Sequence, residues 1–145
     1  MRERIILITG TRKGIGAYLA QHYIAMGERV IGCSRSDPEW AGEYADNYTH
    51  FCADVSDEQA VRSIFSHIRK TYGRLNVLIN NAGIASMNHS LLTPLDSVHH
   101  VLATNTVGTF LFCREAAKIM RKSKDGRIVN FATVATPLKL EGEAI

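Results

Sequence analysis

Long apolar runs are missing from this sequence. No stretch approaches the roughly 20 residues that a membrane-crossing helix needs. The opening Met1-Arg2-Glu3-Arg4 passes at once into the short run Ile5–Ile8, too brief for the core of a secretory signal and followed by no small-residue cleavage site. Cysteine is scarce: Cys33, Cys52 and Cys113 are odd in number, widely spaced and set in apolar stretches, which argues against a disulfide framework. There is no Cys-x-x-Cys pair, and the His residues show no zinc-ligand spacing, so no metal is expected. Charge of one sign is missing too. Seventeen Lys and Arg stand against fourteen Asp and Glu, a formal +3 spread along the chain, which argues against a nucleic-acid partner. These absences together describe reduced thiols in a cytoplasmic protein, with neither nucleic acid nor membrane as partner.

What is present is a core. Of the 145 residues 46% are hydrophobic and 21% charged, a composition against disorder and sufficient for one compact domain over residues 1–145. There is no internal repeat, low-complexity segment or linker. Short β-branched runs alternate with longer helical ones, the pattern of an α/β fold with a doubly wound parallel sheet in three α/β/α layers, Rossmann-like. Strands are expected at Ile5–Thr9, Arg29–Cys33, Thr49–Ala53, Leu75–Asn80 and Arg127–Phe131. A helix is expected over Gly14–Met26, closed by Gly27. A second follows the capping-box pattern Ser56–Gln59, with Val61, Ile64, Phe65 and Ile68 on one face and Gly73 at its end. A long helix fits Asp96–Met120. Its apolar positions, among them Val98, Leu102, Val107 and Phe110, are broad enough to suggest contact with a second subunit.

The first strand runs into Thr9-Gly10-Thr11-Arg12-Lys13-Gly14-Ile15-Gly16, where a helix begins. A diphosphate needs backbone that can approach without Cβ atoms, and amides at a helix N-terminus aimed at negative charge. Glycines 10, 14 and 16 supply both, although a tight turn made for packing would also use them. In dinucleotide-binding folds an acid about 20 positions further on holds the ribose diol of NAD, whereas an Arg accommodates the extra phosphate of NADP. Here the second strand ends Gly32-Cys33-Ser34-Arg35, with no carboxylate at its tip. Arg35 suits that phosphate through its planar donors, with Ser34 beside it and Arg12 and Lys13 adding charge. Asp37 offers the rival, should the loop bring it to the ribose.

With these residues in order, the whole chain resembles the short-chain dehydrogenase/reductase family. The resemblance rests on the Thr9–Gly16 turn, on Asp54-Val55 after the third strand, on Asn80-Asn81-Ala82-Gly83 after the fourth, and on Thr104-Asn105 inside the long helix. It implies hydride transfer between a nicotinamide cofactor, NADP with NAD as the alternative, and a small carbonyl or alcohol, in a homo-oligomer. It also implies that Asp54 and Val55 contact the adenine, that Asn81, Ala82 and Gly83 lie beside the cofactor ribose, and that Asn105 anchors a proton-relay water. Thr133, after Arg127–Phe131, stands where the family usually has the Ser that orients the substrate oxygen. The family's Tyr and the Lys four residues later would fall at or just past Ile145. The five Tyr present (18, 23, 44, 48 and 72) all precede the fourth strand. The chain therefore resembles the N-terminal portion of such an enzyme, with a catalytically silent nucleotide-binding or interaction module as the alternative. Glu141 and Glu143, near the expected site, are weaker candidates for a substitute proton donor, and Ala135–Ile145 would form only the first edge of a substrate pocket.

Overall fold

Five consecutive buried residues, Ile5–Thr9, form the central strand β1, and their alternation builds the two faces of the domain. A computed structural model describes residues 3–133. After β1 come α1 (Gly14–Ala25), β2 (Arg29–Ser34), a 3-10 helix (Glu39–Tyr44), β3 (Tyr48–Cys52), α2 (Glu58–Thr71) and β4 (Val77–Asn80). Then follow a short 3-10 turn (Ser90–Leu92), α3 (Leu95–Leu102), a π-helical turn (Ala103–Gly108), α4 (Thr109–Ser123) and β5 (Arg127–Asn130). The strands form one parallel sheet in the order β3-β2-β1-β4-β5.

Side chains alternate across a strand, so Ile5 and Leu7 join α2 and α4 in one core, while Ile6 and Ile8 join Ala20 and Ile24 of α1 in the other. Both faces of β1 are thus covered, which is why it is apolar throughout. In the larger core Phe65 of α2 and Phe112 of α4 meet edge to face with centroids 5.7 Å apart, both fully buried. The smaller core carries Tyr48 against Trp40, which the 3-10 helix delivers from the mixed stretch after β2. Between α2 and α4, Glu115 is buried and paired with Arg114 and Lys118.

Several sequence expectations shift on contact with the tertiary structure. Pairing of β3 with β2 begins at Tyr48 opposite Val30, one residue earlier than expected. β4 begins at Val77, because Asn76 is spent bracketing Ile5: its side chain accepts from the Ile5 amide and its own amide donates to the Ile5 carbonyl. The cap of α2 is Asp57, whose carboxylate accepts from the amides of Gln59 and Ala60. Ser56 donates its hydroxyl to Asp54 instead. Gly27 takes a left-handed conformation after α1, as a closing glycine does. The expected single helix Asp96–Met120 is three pieces, since the π turn widens the helix around Asn105. Of its apolar positions Val101, Leu111, Ala116 and Met120 enter the core, whereas Leu102, Val107 and Phe110 remain exposed.

Replacing Phe112 with Ala removes the ring that joins α4 to α2. The expected loss is about 3–5 kcal/mol of stability, read as a lower urea midpoint with an unchanged slope.

Candidate functional site

β1 leads away to β2 and β3 on one side, while β4 and β5 lie on the other. Where strand order reverses, the loops leaving β1 and β4 part and open a crevice at the carboxyl ends of the strands. A cavity of about 370 Å³ lies there. The first turn contributes Gly10, Arg12, Lys13 and Gly14 to its wall, and the end of β2 contributes Ser34 and Arg35. Asp54 and Val55 come from the loop after β3, and Asn81, Ala82 and Gly83 from the loop after β4. Segments far apart in sequence are thereby brought to one crevice.

Two of the glycines are required by different constraints. Gly10 has φ of +75°, and a Cβ there would come within 2.9 Å of the Asn81 side-chain nitrogen Nδ2. Gly16 is buried, and a Cβ would run into the Gly10 carbonyl. α1 begins at Gly14, its preceding residue Lys13 makes no side-chain capping bond, and its first turn has no acid. The helix therefore presents its opening amides, and the positive end of its dipole, beside the cavity.

The two loops are tied by Thr9 and Asn81. The Thr9 hydroxyl oxygen accepts from the amides of Asn81 (3.0 Å) and Ala82 (2.9 Å). The Asn81 side chain donates back to the carbonyls of Thr9 (3.0 Å) and Gly10 (3.3 Å). Asn80 points elsewhere: it donates to Asn130 on β5 and to the Cys113 sulfur.

Charge is unevenly placed. Arg12, Lys13 and Arg35 stand on the cavity wall with Asp54 as the acid among them, and Arg12 donates to the Ser36 hydroxyl at 3.3 Å. Asp54 accepts from the Ser56 hydroxyl (2.6 Å) and amide (2.8 Å), which together hold its carboxyl below the ordinary value. Asp37, the rival to Arg35, does not line the cavity; its carboxylate accepts from the Cys52 thiol at 3.3 Å. One potential ligand atom each from Asp37, His50 and Cys52 lies within 4.8 Å of the others, a grouping that His spacing alone did not reveal. Both His50 nitrogens and the Cys52 thiol are already in hydrogen bonds, so it is a hydrogen-bonded cluster.

Other expected residues fall outside the cavity wall. Thr11 is fully buried, its hydroxyl oxygen accepting from the Tyr48 hydroxyl at 2.8 Å. Ile15 projects outward and Gly16 lies behind the turn. Asn105, in the π turn, accepts from the Ile84 amide (2.9 Å) and donates to the Ile84 carbonyl (2.8 Å), clamping the loop that follows Gly83. Thr133 is exposed just beyond β5. Glu141, Glu143 and the segment 135–145 lie outside the described residues. Sequence reasoning gave no site role to Ser36, Ala53, Ile84 or Thr104, all of which stand in the wall. Ser36 and Thr104 were signalled by their neighbours Arg35 and Asn105, whereas Ala53 and Ile84 carry no chemical mark.

Because the Asp54 carboxyl is depressed in the folded state, its contribution is present above the unfolded value of about 4 and lost as pH falls through the folded one. Asp54→Asn should therefore lower stability at about pH 7 and differ little from wild type at about pH 2, measured by urea melts at the two pH values.

Comparison with known proteins agrees with this geometry. The pattern of the short chain dehydrogenase family matches residues 4–144. The chain is 32% identical to 2-(R)-hydroxypropyl-CoM dehydrogenase of Xanthobacter autotrophicus, over 98% of this chain and 61% of that protein. A short-chain dehydrogenase structure from Streptomyces avermitilis superposes with a TM-score of 0.91 at 25% identity, covering 97% of this chain and 53% of that one. The structure of ElxO with NADP bound superposes with a TM-score of 0.88 at 30% identity, covering 98% and 60%. The chain thus spans little more than half the length of the relatives it matches.

Proposed function

The chain belongs to the short-chain dehydrogenase family, and from that membership we propose that the whole protein is an oxidoreductase acting on a small carbonyl or alcohol with NADP(H), in preference to NAD(H). The observation that carries the cofactor preference is the end of β2. Ser34, Arg35 and Ser36 line the cavity there, Arg12 reaches Ser36, and the nearest rival carboxylate, Asp37, is turned to Cys52. An adenosine 2′-phosphate meets donors and positive charge at this place, whereas the run Ser34-Arg35-Ser36 offers a ribose diol no carboxylate, and Asp54 on the same wall is held by Ser56.

The residues present fit the rest of a dinucleotide. The amides opening α1, approached closely because Gly10 and Gly14 have no Cβ, suit the diphosphate. Asp54 and Val55 suit the adenine, and Asn81, Ala82 and Gly83 the ribose on the nicotinamide side. Thr11 and Gly16 serve the same cradle from behind, through the shape of the turn, and Ile15 through its backbone in the opening turn of α1. When bound, the cofactor supplies or accepts the hydride.

Among this chain's own residues, Asn105 and Thr133 are the proposed catalytic contributors. Both ends of the Asn105 amide are held by Ile84, so a relay water would be held by its main-chain carbonyl, the group that accepts from the Thr109 hydroxyl at 2.8 Å. The Thr133 hydroxyl has donor and acceptor capacity to orient a substrate oxygen. The proton donor of this reading is a Tyr supported by a Lys, contributed by a segment of the whole protein outside residues 1–145. A cytoplasmic homo-oligomer, joined through the exposed Leu102, Val107 and Phe110, belongs to the same proposal.

Arg35→Ala in the whole protein tests it. Loss of charge-assisted hydrogen bonds to the phosphate should weaken NADPH binding about 10- to 100-fold and leave NADH nearly unchanged, by fluorescence titration. An unaltered NADPH-to-NADH ratio would overturn the assignment, and NADPH binding without turnover on a panel of carbonyls would favour a silent nucleotide-binding module.

A further inference from the structure

The indole N–H of Trp40 is spent on the backbone of the glycine-rich turn, a contact that the cofactor reading leaves unexplained. Trp40 lies in the 3-10 helix Glu39–Tyr44, on the segment that opens with Ser34, Arg35 and Ser36. Its Nε1 donates to the Thr11 main-chain carbonyl at 3.3 Å. An indole nitrogen only donates, so the direction of this bond has no alternative. The ring is half-buried, tilted on Tyr48 with centroids 4.7 Å apart and edge-on to Tyr44 at 5.9 Å. A second bond joins the same two segments, from the Arg12 guanidinium to the Ser36 hydroxyl at 3.3 Å.

Each polar group of Thr11 is held by a different element. Its amide donates to the Cys33 carbonyl of β2 at 3.3 Å, and its hydroxyl oxygen is 2.8 Å from that of Tyr48 on β3. Those bonds fix the start of the residue and its side chain. The carbonyl belongs to the peptide leading into Arg12, and among the described residues its hydrogen-bond partner is Trp40 alone. A trans peptide is planar, so a tether on that oxygen sets the plane, and with it the direction in which Arg12 leaves the turn. The turn has little stiffness of its own at this point. Arg12 and Lys13 are exposed between Gly10 and Gly14, whose φ values are +75° and +63°, and glycine permits many backbone conformations. The regular bonding of α1 begins only at Gly14, beyond Arg12.

We infer that Trp40 is a positioning residue for cofactor choice: by holding the Thr11–Arg12 peptide it aims the Arg12 guanidinium at the 2′-phosphate position. The inference rests on the NADP reading above. It makes the segment after β2 act twice, through Arg35 and Ser36 on the cavity wall and through Trp40 on the turn that carries Arg12. Bonds from a guanidinium to a phosphate depend on direction as well as distance, because the donors lie in one plane. NADH has no phosphate at that position, so it gains little from the tether.

The test is Trp40→Phe in the whole protein, which keeps an aromatic ring against Tyr48 and removes the donor. Fluorescence titration should show Kd for NADPH raised about fivefold, the size of effect expected of one hydrogen bond, and Kd for NADH changed less than about twofold. In an Arg12→Ala background the same substitution should leave NADPH affinity where Arg12→Ala alone puts it, because the group that Trp40 aims is gone. A loss shared equally by NADPH and NADH, no loss for either, or the same NADPH loss with and without Arg12 overturns the inference, whatever happens to the urea midpoint. Should Trp40→Phe fail to fold, the wild-type indole decides instead. Coupling between bond and ligand is reciprocal, so NADPH must slow hydrogen exchange at Trp40 Nε1 more than NADH does, measured by NMR, and equal exchange overturns the inference. Wild type with no NADPH preference would overturn the cofactor reading itself, whereas a preference that Trp40→Phe leaves intact removes only the role of Trp40.

Discussion

The exchange of hydrogen bonds between Thr9 and Asn81 holds the site open and in register. At the reversal of strand order the ladder between β1 and β4 has ended at Ile8 and Ile79, and two loops leave in different directions. Backbone groups at such a point need partners. The Thr9 hydroxyl takes the amides of Asn81 and Ala82, and the Asn81 side chain takes the carbonyls of Thr9 and Gly10. Four polar groups of the parting loops are thereby satisfied without closing the crevice. The glycine-rich turn, Asp54 and the end of β2 are all placed relative to that splice.

On this frame the wall of the cavity becomes electrostatically one-sided. The dipole of α1, Arg12, Lys13 and Arg35 favour an anion, and Asp54 is occupied with Ser56. Thr11, Tyr48 and His50 lie under the turn, where Gly32 makes room for them: a Cβ there would run into the Tyr48 and Thr11 hydroxyls. Asn105 performs a comparable service on the other wall, where the π turn exposes its amide to the backbone of Ile84.

Much of the architecture was legible from periodicity. Ile5–Thr9 reads as a doubly covered strand because it is apolar at every position, and Val61, Ile64, Phe65 and Ile68 mark one helix face by their spacing. The positions that moved were those where side chains outcompete pattern. Asp57 caps α2 in place of Ser56 because the Ser56 hydroxyl is drawn back to Asp54. Asn76 leaves the strand run to satisfy Ile5. The π turn was visible only as a poor helix former in an apolar stretch, since a widened turn is set by what its side chains reach.

By itself the sequence determined the α/β alternation, the place of the glycine turn between strand and helix, and the absence of an acid at the tip of β2. These are local properties, written in side-chain spacing and in which residues can adopt a given backbone. Only the tertiary structure decided that Asp37 turns to Cys52, that Thr11 faces inward, and that Asn105 clamps Ile84. It alone also decided that Ser34 rests on His50. Those contacts join segments separated by as many as 37 positions, and none exists until sheet order and register bring the strand ends together.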